Sequence, residues 1–169
     1  MNEYMAPQLI IGVGNEMRGD DGAGLLVARL LQEMSLPGVD VLQRSGEGSA
    51  LMDAWEGYAN VIVVDAAYAS DAAYASDAAA GSHAPGTIHR FDLADGPLPA
   101  ILSSSLSSHA FGVAGAIDLA RRLQRLPAQL TVYAIEGEDF SLGRPLSPPV
   151  ERAAHALARR IHEACVQVS

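Results

Sequence analysis

Five residues of this 169-residue chain are best able to do chemistry. Asp20 and Asp21 stand side by side, Asp65 closes the apolar run Val61, Ile62, Val63, Val64, Glu136 follows a second apolar run, and His109 precedes a helical stretch. Two carboxylates and one imidazole form an O,O,N donor set. Such a set suits a borderline divalent ion such as nickel or zinc and leaves coordination positions open for a substrate.

Each residue also has a plain structural reading. An aspartate just ahead of a helix is commonly an N-cap, which applies to Asp20. His109, after the serine-rich segment 103–108, reads equally as a capping histidine. For Asp65 the structural reading is weaker, because a carboxylate ending a run of branched apolar residues is costly to desolvate unless it is paired. His83 and His89 fall in or near a loop, and His155 and His162 fall on the last helix, so none of the four is taken as a site residue. Glu136 reads as a rim residue without a role. The serines lack the Gly-x-Ser-x-Gly turn of a serine hydrolase and read as a flexible loop.

The elements that position these residues follow from periodicity. Leu9, Ile10 and Ile11 predict a strand that ends in a glycine turn, and residues 22–34 carry a helical stripe of Ala23, Leu26, Val27, Leu30 and Met34. A second strand is expected over 39–42, a short helix over 50–58, and a strand buried on both faces over 61–65 with Asp65 as its last residue. Residues 86–91 resemble a short edge strand and 92–99 a turn. A helix follows over 111–126 and a last strand over 129–135. Ser147 as N-cap with Pro148 at the first helical position opens the final helix. This alternation predicts one α/β domain over 1–169: a three-layer α/β/α sandwich with a mostly parallel sheet of about five strands. In such sheets ligands bind outside the carboxyl ends of the strands, where Asp20, Asp21, Asp65, Glu136 and the loop holding His109 would gather.

The hexapeptide DAAYAS occurs twice in tandem from Asp65, which reads as a duplicated piece of loop; Asp71 and Asp77 are therefore taken as decoys. Acidic residues outnumber basic ones by 20 to 11, a net charge of −9, so neither a nucleic acid nor an anionic membrane surface is an expected partner. No apolar run approaches the roughly 20 residues of a membrane helix, and the chain reads as soluble and cytoplasmic. The lone cysteine, Cys165, lies on the apolar face of the last helix and reads as a packed core residue.

Gly12-Val13-Gly14 invites a dinucleotide-binding reading, but the third glycine of that fingerprint falls on Met17. An acidic pair at the start of the helix also repels the pyrophosphate that such a loop attracts. The loop is better matched to a cation.

Taken together, GVGNEMRGDDGAG before a helix, VIVVDA at a strand end, PGTIHRF and SSHAFGVAGAIDLA resemble the nickel-iron hydrogenase maturation endopeptidases, in order and with similar spacing from Leu9 to Leu146. The resemblance implies an α/β/α sandwich whose nickel ligands are Asp21, Asp65 and His109; Asn15, Glu16 and Asp20 are candidate supporting residues, and the plain structural reading of Asn15 is a side chain tying down the glycine turn. It also implies removal of a short C-terminal extension from the [NiFe] hydrogenase large-subunit precursor after nickel insertion. The nickel would arrive on the substrate's cysteines rather than reside in the enzyme, an arrangement suited to an incomplete O,O,N set. Asp21 or Asp65 could act as general base. A monomer is the default state. The competing readings are a relative that binds metal or a partner without cleaving, and a small-molecule hydrolase or nucleotide-binding module using the same crevice.

Overall fold

A computed structural model describes residues 9–68, 84–93, 97–98 and 112–167. Five strands, β1 (Leu9–Val13), β2 (Asp40–Arg44), β3 (Asn60–Tyr68), β4 (Ile88–Asp92) and β5 (Gln129–Gly137), form one sheet in the order β2-β1-β3-β5-β4. All pairings are parallel except that of β4 with β5. Every residue of β1 is buried, as expected of an apolar strand covered on both faces.

Among the described residues, four helices cover the sheet: α1 (Ala23–Met34), α2 (Gly48–Trp55), α3 (Val113–Arg122) and α4 (Pro148–Gln167). The apolar faces of α2 and α3 pack with Ile11, Val13, Val63 and Val132 in one core. Those of α1 and α4 pack with Ile10, Val64, Tyr133 and Ile135 in the other. Successive strand residues therefore feed opposite layers, and the architecture is the three-layer α/β/α sandwich that the alternation predicts. Cys165 lies in the α1/α4 layer, where burial pushes its thiol pKa up.

Close approach of α1 to the sheet depends on small residues. A Cβ on Gly24 would stand 2.3 Å from the Val64 carbonyl oxygen and 2.5 Å from that of Val13, and one on Gly12 would meet the Gly24 oxygen at 2.2 Å. Only glycine at both positions lets α1 lie this near β1 and β3. That contact fixes where the loop between β1 and α1 runs.

Several boundaries differ from the sequence expectation. β3 does not end at Asp65 but continues through Ala66, Ala67 and Tyr68, because β5 pairs with it over its whole length up to Tyr68 opposite Gly137. The first four residues of the first DAAYAS copy are thus strand rather than loop, with Ala66 and Ala67 buried and Tyr68 stacked on Phe140 at 4.0 Å. Likewise Glu136 lies inside β5, not after it. The helix expected over 111–126 ends at Arg122, since Gln124 takes a φ of 54° and Pro127 follows. The second copy of the repeat with Asp71 and Asp77, His83, the serine segment and His109 lie outside the described residues.

Candidate functional site

The chain leaves β1 toward α1 on one face of the sheet and leaves β2 toward α2 on the other, so the two loops separate at the carboxyl edge of β1 and β3. A crevice at such a switch in strand order is where open α/β sheets bind ligands. It is lined here by Val13 at the end of β1, Gly14 and Asp21 from the first loop, Ser45 and Gly46 from the second, Asp65 from β3, and Gly112 and Val113 at the amino end of α3. Its volume is about 10 Å³, near the lower limit for one water-sized occupant.

Asp21 and Asp65 therefore meet in one cavity although they come from different elements. Asp21 sits in a short 3₁₀ turn, Gly19–Gly22, and is half-buried; Asp65 is 9% exposed. Burial first, and the nearby charge of Asp21 second, raise the Asp65 carboxyl from an ordinary 3.8 to about 7, against the pull of the Ala66 N–H, which donates to Oδ1 at 2.8 Å. A carboxyl so placed is half protonated near neutral pH. It is poised either to exchange a proton or to ionise fully when a cation joins it. Among the described residues no three His, Cys, Asp or Glu side chains converge as a metal-binding group, so Asp21 and Asp65 make a two-oxygen set. Gly112, three residues after His109 in the chain, lines the cavity.

Asp20 behaves differently from its neighbour. It is fully buried and points away from any helix-capping role: the residue capping α1 is Gly22, without a side-chain bond. The Asp20 carboxylate instead accepts four hydrogen bonds, from the N–H of Glu138 (2.8 Å), Asp139 (3.1 Å) and Ser147 (2.7 Å) and from the Ser147 hydroxyl (2.9 Å). The main chain reinforces this clasp, with Asp20 N–H donating to the Asp139 oxygen at 2.9 Å and Gly19 N–H to that of Arg144 at 3.1 Å. The 3₁₀ turn holding Asp21 is thereby tied to the segment between β5 and α4.

The other residues expected to support the site have local partners. Asn15 accepts from the Met17 N–H at 2.9 Å and pins the turn after β1. Glu16 is exposed and pairs with Arg29 at 3.4 Å.

Sequence reasoning set His89 and Glu136 aside, yet they form a pair: His89 Nε2 lies 2.5 Å from Glu136 Oε1, and the Glu136 side chain is fully buried. The signal was present, since Glu136 interrupts the apolar run of β5 just as Asp65 interrupts that of β3, and the same desolvation cost applies to both.

A mostly parallel α/β/α sandwich with two carboxylates meeting at its strand-order switch defines a doubly wound protein with a strand-edge site. The comparisons narrow this. The family model described as hydrogenase maturation protease matches residues 75–164. The chain is 28% identical over 145 residues to the hydrogenase 2 maturation protease of Escherichia coli, covering 85% of this chain and 80% of the relative. It is 30% identical over 139 residues to a Methanocaldococcus jannaschii protein named as a hydrogenase maturation protease, covering 79% and 78%. The crystal structure of the maturation protease HycI from Thermococcus kodakarensis superposes with a TM-score of 0.68 at 21% identity, over 97% of this chain and 95% of that one, which establishes the common fold. The chain belongs to the hydrogenase maturation protease family, and is a peptidase.

Proposed function

We propose that this chain is the endopeptidase that removes the C-terminal extension of a [NiFe] hydrogenase large-subunit precursor, and that it recognises nickel already carried by that precursor. The observation that supports the reading most directly is the meeting of Asp21 and Asp65 in one small cavity at the strand-order switch. Two carboxylate oxygens, completed by His109, hold a cation weakly by themselves but complete the coordination of one that arrives with thiolates. Nickel is then part of the substrate. Its capture by Asp21 and Asp65 would align the scissile peptide over the sheet edge, which converts a bimolecular encounter into an oriented one. The raised pKa of Asp65 suits a carboxyl that gives up its proton as the cation arrives.

The test incubates the protein with nickel-loaded and nickel-free precursor and follows the C-terminal peptide by mass spectrometry. Cleavage of the loaded form alone is expected. Equal cleavage of both forms would overturn recognition through nickel, and no cleavage of either would favour a binding-only relative.

A further inference from the structure

The His89–Glu136 pair lies outside the cavity of Asp21 and Asp65, but the strand register aligns the two. Asp65 stands opposite Ala134 on β5, and Ala134 stands opposite His89 on β4. Laterally paired residues share a sheet face, so Asp65, Ala134 and His89 form one row on the α2/α3 side, with Asp65 and His89 two strand spacings apart, about 10 Å. Glu136, two residues beyond Ala134 on β5, shares that face and lies toward the carboxyl edge.

Fastening β4 to β5 does not require this pair. The two strands already share a ladder from Ile88 to Asp92, extended by Gly86 N–H to the Glu136 oxygen at 2.7 Å and Glu136 N–H to the Thr87 oxygen at 2.9 Å. A fully buried carboxylate is an expensive way to hold an edge strand, where apolar contacts would serve at least as well. Its arrangement is that of an orienting acid: the carboxylate is inaccessible, while the imidazole it holds keeps 27% of its side-chain surface exposed. Phe91, two residues along the same face, stacks on the ring with centroids 6.2 Å apart and planes 10° from parallel, which further restricts its rotation. The tautomer that donates Nε2–H to Glu136 leaves Nδ1 as the nitrogen to exchange a proton.

We infer that His89 is the proton carrier of the peptide cleavage, and that Glu136 is a positioning residue acting through it; this rests on the proposed function above. Water adds through its oxygen to the scissile carbonyl carbon and passes one proton to His89. The carbon–nitrogen bond then breaks with its electron pair staying on nitrogen, which receives that proton from His89 and leaves as an amine. The new carboxylic acid ionises to the medium, and the imidazole ends as it began. Asp65 and His89 stand at the two ends of that row.

Single-turnover cleavage of nickel-loaded precursor from pH 5.5 to 9 tests this with the unaltered chain, His89→Gln, His89→Gly and Glu136→Gln. The expected result is a loss of about 100-fold or more in rate for His89→Gln, with little change in precursor binding. Partial restoration of His89→Gly by added imidazole is also expected. Glu136→Gln should lose about 10-fold and move the acid limb of the profile, a change that loss of a merely structural contact would not produce. Glu136→Asp, which keeps a buried acid at this position, should shift the same limb even if the glutamine variant folds poorly. Unchanged rates and profiles in folded variants, or no rescue by imidazole, would overturn the inference while leaving the proposed function standing. No cleavage by the unaltered chain would overturn both.

Discussion

Asp21 and Asp65 share one cavity of about 10 Å³, and the charge of the first, after burial, helps to hold the carboxyl of the second at a pKa of about 7. The folded-state value lies above the ordinary 3.8, so this group favours the fold fully below pH 4, and the contribution is lost as pH rises through 7. A shift of about three units corresponds to roughly 4 kcal/mol of stability surrendered by pH 8. Urea unfolding of Asp65→Asn should lack this decline, leaving the variant more stable than the unaltered chain at pH 8 and little different at pH 4. A parallel decline in both proteins would count against the assignment.

The same group governs processing. Asp65→Asn is expected to keep the far-UV circular dichroism spectrum of the fold and to abolish removal of the precursor's tail, because an amide does not ligate a cation as a carboxylate does. Retained cleavage would mean that the reacting centre lies elsewhere.

Nickel should compete with protons at the two carboxylates. Added nickel ions are expected to raise the melting temperature more at pH 8 than at pH 6, and the difference should vanish in Asp21→Asn. An equal shift at both pH values would show that the ion binds at another place.

Asp20 should be the costliest of the acidic residues to truncate. Asp20→Ala leaves three backbone N–H groups and the Ser147 hydroxyl without their buried acceptor, which predicts a loss of about 3–5 kcal/mol in urea unfolding. The exposed pair of Glu16 with Arg29 offers the contrast, since Glu16→Gln should cost under about 1 kcal/mol.

Gly24→Ala tests the approach of α1 to the sheet. With carbonyl oxygens 2.3 Å and 2.5 Å from the new Cβ, the helix must move outward, at a cost of about 1–3 kcal/mol or more. Because Asp21 precedes this helix, cleavage should fall further than the stability loss alone explains.

Sequence by itself determined the elements whose signals are local. The apolar runs of β1 and β3, the stripe of α1, the proline start of α4 and the mostly parallel sandwich they imply were all legible, because periodicity and turn chemistry act within a few residues. It also singled out Asp65, since an acid closing an apolar run needs no partner to be conspicuous. Tertiary structure alone decided what each polar residue is paired with. Asp20 and Asp21 are neighbours of the same type, yet one is spent clasping Ser147 and the start of the last helix while the other faces Asp65. His89 is set aside on sequence grounds until the antiparallel register brings it to Glu136. The register also carries β3 past Asp65, so that the acid lies within the sheet rather than at its end. Hydrogen-bond partners for buried charge are chosen by contacts between residues distant in the chain, and no local pattern encodes them.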